Sequence, residues 1–205
     1  MLEVSNLTCV RGERLLFERV GFRLGGGQLL HLRGANGAGK TSLLRLLCGL
    51  SPPESGQILW NGVSIKELGD DYRRDLFYLG HHNALQEALT VEENLAFYSA
   101  LAGALPSADD TARALARLGL RACQGRLVRH LSQGQKRRVA LSRLMLNRAR
   151  LWVLDEPFVA LDQAAIELLS DLVSAHLDQG GLAVYTSHQQ VPVGSRQAQV
   201  LELKA

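Results

Sequence analysis

Leu29-Leu30-His31-Leu32-Arg33-Gly34-Ala35-Asn36-Gly37-Ala38-Gly39-Lys40-Thr41-Ser42-Leu43-Leu44-Arg45-Leu46-Leu47 falls into three pieces: an apolar run of strand length, a glycine-rich middle, and leucines at helical spacing. Gly34 to Thr41 fits G-x-x-x-x-G-K-[ST], between a strand and a helix as that motif requires. Backbone N–H groups of such a turn curl around a phosphate chain, and the following helix turns the positive end of its dipole toward it. A turn that only reversed the chain would need neither an ammonium nor a hydroxyl, yet Lys40 and Thr41 stand at the helix start. The motif assigns Lys40 to the β- and γ-phosphates, the Thr41 hydroxyl to Mg²⁺, and the amides of Asn36, Gly37, Ala38, Gly39 and on to Ser42 to the phosphate cradle. A nucleoside triphosphate with Mg²⁺ is the expected ligand.

Around that run, Leu151 to Leu154, Leu182 to Tyr185 and Val200 to Leu203 read as further buried strands separated by helical stretches, which predicts a largely parallel α/β core. The first residues up to about 28, closed by Gly25-Gly26-Gly27, read as antiparallel strands beside that core. From about 84 to 150 the pattern reads as helical throughout. Thr90-Val91-Glu92-Glu93 is a capping box opening a helix through Ala102, and Ala108 to Leu118 and Lys136 to Leu146 repeat the helical period. The expectation is one domain over 1–205, with a core of about 1–83 and 151–205 and an inserted helical subdomain of about 84–150.

The 205 residues, 46% apolar, are enough for a sizeable core. A net charge of +3 with scattered basic residues gives no nucleic-acid footprint. Lys136-Arg137-Arg138 is the one basic cluster and reads as the solvated face of a helix. Cys9, Cys48 and Cys123 are odd in number without metal-like spacing, and read as reduced structural thiols of a cytoplasmic protein. No run approaches the roughly 18 apolar residues of a membrane span, and Met1 to Asn6 lacks the pattern of a secretory leader.

Two more constellations bear on chemistry. Leu131-Ser132-Gln133-Gly134-Gln135 opens a helix with the S-x-x-Q spacing of a capping box, and an exposed serine beside a glycine at a positive helix end is a second place to hold phosphate. Leu151-Trp152-Val153-Leu154-Asp155-Glu156 is an apolar strand ending in paired carboxylates, which puts them at the carboxyl edge of the sheet where such folds bind ligands. There Asp155 can hold Mg²⁺ through water, and Glu156 can take a proton from an attacking water. His188 closes another strand, Leu182 to Thr186 and Ser187, and reads in this company as a γ-phosphate contact.

Across essentially its whole length the chain resembles the nucleotide-binding subunits of ATP-binding cassette (ABC) transporters. Gly34 to Thr41 match the Walker A loop, Leu131 to Gln135 the family signature, Leu151 to Glu156 the Walker B strand, Asp162 the D-loop aspartate and His188 the switch histidine. The resemblance implies a P-loop ABC fold and a homodimer sandwiching two ATP molecules. Ser132, Gly134 and Gln135 of one subunit would then face the γ-phosphate held by Lys40 of the other.

Within that family the chain looks most like the ATP-binding subunits of cytochrome c maturation systems. The likeness rests on Leu131 to Leu144, on Leu154-Asp-Glu-Pro-Phe-Val-Ala-Leu-Asp162, on Thr186-Ser-His-Gln189, and on Gly80-His81-His82 before Leu89 to Leu95. It implies a membrane permease and haem-handling proteins as partners, and a peripheral place on the cytoplasmic face of the bacterial inner membrane.

Two positions depart from the general ABC pattern. The Q-loop glutamine falls at His82, a poorer magnesium ligand than an amide oxygen. His81-His82 as a shared haem or metal site runs against side-chain geometry, because neighbours on an extended segment point apart. The adenine-stacking aromatic falls at Arg11, whose planar guanidinium can stack instead. Another small ABC exporter subunit, a soluble nucleic-acid ABC ATPase and a nucleotide-gated scaffold without turnover stay open as alternatives.

Overall fold

The computed structural model describes residues 1–103, 105–187, 193 and 197–204. In chain order its elements are β1 (Leu2–Arg11), β2 (Arg14–Leu24), β3 (Leu29–Gly34), α1 (Lys40–Leu47), β4 (Ser55–Trp60), β5 (Val63–Ser64), α2 (Ile65–Leu68), α3 (Asp70–Arg74) and β6 (Leu76–Leu79). They continue with α4 (Val91–Leu101), α5 (Ala108–Arg117), α6 (Gln133–Leu146), β7 (Leu151–Leu154), α7 (Gln163–Asp178), β8 (Leu182–Thr186) and β9 (Gln199–Leu203). Two sheets result. One is antiparallel in the order β2-β1-β4-β5; the other is parallel and runs β6-β7-β8-β3-β9.

The parallel sheet explains why its strands read as continuous apolar runs, since both faces are covered. Successive residues of β7 and β8 alternate between two cores. Trp152, Leu154, Ala183 and Tyr185 join the core under α4 to α7, with Val91, Leu95, Leu115, Val139 and Leu169. Leu151, Val153, Leu182 and Val184 join the core under α1 and the antiparallel sheet, with Leu43, Leu47, Leu7 and Phe22. The sheet is thus a wall between two apolar cores.

The four strands expected in the parallel core are present at the expected places, and β1 and β2 are antiparallel as expected. Sequence reasoning missed β4 and β6. Ser55-Gly56-Gln57 opens β4 with three exposed residues that hide its alternation, and β6 is only four residues long.

The stretch 84–150 is not helical throughout. Around α4, α5 and α6 lie turns and short 3₁₀ segments at Arg121–Cys123 and Val128–His130. The cause is a strand-like clasp: Val91 N–H donates to Arg126 O at 3.1 Å and Val128 N–H to Leu89 O at 3.0 Å. The fully buried Asn94 braces the turn before α4, its amide nitrogen donating to Gln86 O and Thr90 O at 2.9 Å each. Both expected capping boxes form, at Thr90–Glu93 and at Ser132–Gln135, and the second starts α6 three residues before the expected Lys136.

Candidate nucleotide site

The end of β3 needs a glycine. Gly34 has φ 146, and a Cβ there would lie 2.7 Å from the Leu203 carbonyl oxygen of β9. Gly37 and Gly39 are left-handed at φ 82 and 94, and a side chain on Gly39 would meet the Phe17 ring at 3.0 Å. Ala38 N–H donates to Ala35 O at 3.1 Å, closing the turn. Helix α1 then begins at Lys40 with no side-chain cap and no acid in its first turn. Its leading amides and dipole are therefore not taken up by an acid of its own first turn, which suits an anion. Lys40 Nζ donates to Gly34 O at 2.8 Å and Ala35 O at 3.2 Å, so the ammonium lies across the loop.

Beside this cradle Thr41 Oγ1 donates to Asp155 Oδ2 at 2.9 Å, joining the two motifs across 114 residues of sequence. The other Asp155 oxygen accepts from Thr186 Oγ1 at 2.8 Å, and that same hydroxyl accepts the Glu156 N–H at 2.8 Å. Asp155 N–H donates to Leu79 O at 2.7 Å, pinning the carboxylate at the carboxyl edge of the sheet, where it is 2% exposed. A hydroxyl and a carboxylate are hard oxygen donors of the kind Mg²⁺ prefers. Among the described residues no group of three or more His, Cys, Asp or Glu has metal-binding geometry, so an ion here would complete its shell with phosphate and water oxygens.

Glu156 sits at φ 49, left-handed for a side chain that disfavours it by about 1–3 kcal/mol. Its carbonyl accepts Arg137 Nη2 at 2.6 Å. Thr186 and Arg137 thus hold this backbone from both sides. Sequence reasoning found neither: Thr186 hides as the last residue of an apolar strand, and Arg137 was read with Lys136 and Arg138 as a solvated face. That reading is corrected by the structure. Arg137 is 5% exposed, Lys136 pairs with Glu87 at 2.6 Å, and Arg138 pairs with Asp162. The helix packs this face against the core and its loops, so each cation finds an acid or a carbonyl.

Ser132 is exposed; its Oγ accepts Gln135 N–H at 3.2 Å while Gln135 Oε1 accepts Ser132 N–H at 2.9 Å. Gly134 follows on the first turn of α6. Among the described residues no hydrogen bond or ion pair joins Ser132, Gly134 or Gln135 to the phosphate loop of the same chain. Asp162 caps α7, accepting Ala165 N–H at 3.0 Å.

Arg11 ends β1, exposed, and donates to Ser51 Oγ at 2.8 Å. Its hairpin partner Arg14 comes nearer the cradle, with Nη2 3.9 Å from where a Gly37 Cβ would stand. His82 is exposed on the bend after β6. The expectation that His81 and His82 point apart is overturned: a bend replaces the extended segment, and the rings pack edge-on with centroids 5.6 Å apart. His188 lies outside the described residues. Just before it, the Ser187 carbonyl is 3.2 Å from His31 Nε2, while Arg33 Nε donates to His31 Nδ1 at 3.3 Å. His31 stacks on Tyr185, and burial holds its pKa below the ordinary 6.5 against the opposing pull of the Ser187 carbonyl.

The family model described as ABC transporter matches residues 17–159, which sets the class. A solved structure of a putative ABC transporter ATP-binding protein from Pyrococcus furiosus superposes with TM-score 0.84 at 26% identity, covering 98% of this chain and 96% of that one. The cytochrome c biogenesis ATP-binding export protein CcmA of Albidiferax ferrireducens is 60% identical, covering 100% of this chain and 97% of its own. Its counterpart in Dechloromonas aromatica is 55% identical over 99% of this chain and 100% of its own. The chain belongs to the ABC transporter ATP-binding family, in its branch of cytochrome c biogenesis ATP-binding export proteins. It is accordingly an ATP-binding subunit with the ATPase activity of that family.

Proposed function

We propose that this chain is the ATP-hydrolysing subunit of a bacterial inner-membrane assembly for cytochrome c maturation, coupling hydrolysis to haem export or to release of a haem-loaded chaperone. The observation that carries the hydrolytic part of the reading is the Thr41–Asp155 hydrogen bond at 2.9 Å, which assembles the phosphate loop and the acidic strand end into one oxygen-lined site, and the likeness to cytochrome c biogenesis ATP-binding export proteins supports the rest. In this proposal residues 1–205 form one ABC ATPase domain, with a core of about 1–83 and 151–205 and a helical subdomain of about 84–150. The chain is proposed, on its likeness to cytochrome c biogenesis ATP-binding export proteins, to sit peripherally on the cytoplasmic face beside a permease and haem-handling proteins; among the described residues no helix is long and apolar enough to cross a membrane.

Lys40 leaves the Gly34 and Ala35 carbonyls for the β- and γ-phosphates, and the amides from Gly34 and Ala35 through Asn36 to Ser42 close around the chain of phosphates. Arg11 lies against the base. Thr41 and, through water, Asp155 would hold Mg²⁺, which when bound would neutralise charge developing on the phosphate oxygens. Glu156 accepts a proton from the water attacking in line, and His188 contacts the γ-phosphate. Ser132, Gly134 and Gln135 complete the site from the second subunit of a homodimer, beside Asp162; His82 holds the Q-loop position facing the permease.

Glu156→Gln is expected to keep ATP affinity while cutting turnover by roughly 10²- to 10⁴-fold, the range of general-base help. The same tagged variant, loaded with ATP and recovered from detergent-solubilised membranes, is expected to bring down cytochrome c maturation membrane proteins. Recovery of an unrelated permease would retain the ATPase and overturn the maturation role.

A further inference from the structure

The buried arginine of α6 has no place in the mechanism above. Arg137 reaches four oxygens from α6, two in each of two segments. Its Nη1 donates to Asn83 Oδ1 at 3.1 Å and lies 3.5 Å from Gly80 O, both in the loop that follows β6. Its Nη2 donates to Glu156 O at 2.6 Å and lies 3.5 Å from Asp155 O, at the end of β7.

A guanidinium that is 5% exposed loses most of its hydration, and a hydrocarbon side chain would fill the same space without that loss. What it supplies is a rigid planar fork with donors at fixed angles, able to fasten two segments that share no sequence neighbourhood. One of those segments contains Glu156 at φ 49, the one acidic residue with a left-handed backbone among the described residues. A left-handed non-glycine residue persists only where its surroundings over-determine it. Thr186 fixes its N–H and Arg137 its carbonyl, which sets the direction in which the Cα–Cβ bond of Glu156 leaves the backbone.

We propose that Arg137 is a positioning residue for hydrolysis: it aims Glu156 by holding its backbone, and through Asn83 it ties that aim to the loop carrying His81 and His82. Movement of the loop after β6 is then felt at the carboxylate through one side chain, without passing through the phosphate cradle. This rests on the assignment of Glu156 as the base that assists the attacking water. A lysine at this position would reach only one of the two segments.

The test uses the tagged chain purified together with the membrane proteins that accompany it, reading ATPase turnover, the Kd of a fluorescent ATP analogue, and the melting temperature. Arg137→Gln is expected to lower kcat by roughly ten- to a hundredfold, the scale of a misaimed catalytic group, with the Kd within about threefold of the parent. Asn83→Ala, a loop change that leaves the α6 packing alone, is expected to lower kcat in the same direction. The double variant is expected to be no worse than Arg137→Gln by itself, since both act on one link. Arg137→Lys is expected to fall between parent and Arg137→Gln.

Glu156→Gln serves as the control. If it abolishes turnover while Arg137→Gln and Asn83→Ala keep parental kcat, the positioning role is overturned and Glu156 stands. If Glu156→Gln turns over normally, the base assignment fails and this inference goes with it. If Arg137→Gln loses Kd, kcat and melting temperature together while Asn83→Ala is silent, Arg137 only packs the lobe and the inference is likewise overturned.

Discussion

Thr186 does two things with one oxygen, donating to Asp155 at 2.8 Å and accepting from Glu156 N–H at 2.8 Å. Valine has the same shape and neither capacity. Thr186→Val is expected to destabilise by about 1–3 kcal/mol, the cost of a buried N–H and carboxylate oxygen left unmatched, and to lower turnover with it. Thr186→Ser should restore both, and urea unfolding beside an ATPase assay distinguishes the two variants. Single residues were unevenly legible. Lys40, Thr41, Asp155 and Glu156 stand in spaced motifs whose chemistry fixes their surroundings, and the structure puts Thr41 against Asp155. Thr186 and Arg137 were hidden because their roles depend on which strand end and which loop come near them, and spacing along the chain holds no trace of that.

At the scale of elements, two of the three helices that begin with a reciprocal capping box among the described residues differ in what lies beyond it. Ser107 caps α5 through a reciprocal box with Asp110, and Ser132 caps α6 through one with Gln135. Alanine at either serine is expected to cost about 1 kcal/mol of stability, read from denaturant unfolding. Only Ser132→Ala should also impair ATP-driven turnover, since Ser107 has no assigned phosphate. Equal turnover in the two variants would confine Ser132 to capping. Helix starts were legible at Thr90 and Ser132 because capping is a local rule of residue type and spacing. The strands β4 and β6 were not, since one is exposed along half its length and the other has four residues to show a period. The clasp of 89–91 against 126–128 joins distant segments and leaves no periodic mark.

For the whole molecule, the buried His31 and the half-buried His176 contribute to the response to acid. Burial pushes the pKa of His31 and of His176 below 6.5, where His176 is stacked on Trp152 with centroids 3.9 Å apart. The unfolded chain takes up these protons near pH 6.5 and the native state resists them, so the unfolded state binds more protons and stability rises with pH across that window. The melting temperature is therefore expected to fall as the pH is lowered below about 6.5. His176→Phe should flatten the slope; an unchanged slope would assign it to other groups. The parallel sheet, meanwhile, keeps the core beneath the phosphate loop apart from the core beneath α6. Lys40 opens the helix α1 that packs on the first side, and Ser132 caps the helix α6 that packs on the second. In the homodimer proposed here, a Lys40→Ala chain and a Ser132→Ala chain, each inactive by itself, should rescue one another when mixed: a hybrid pair carries one composite site with both defects and one with neither. Defective halves of a machine divided in this way are spare parts for each other.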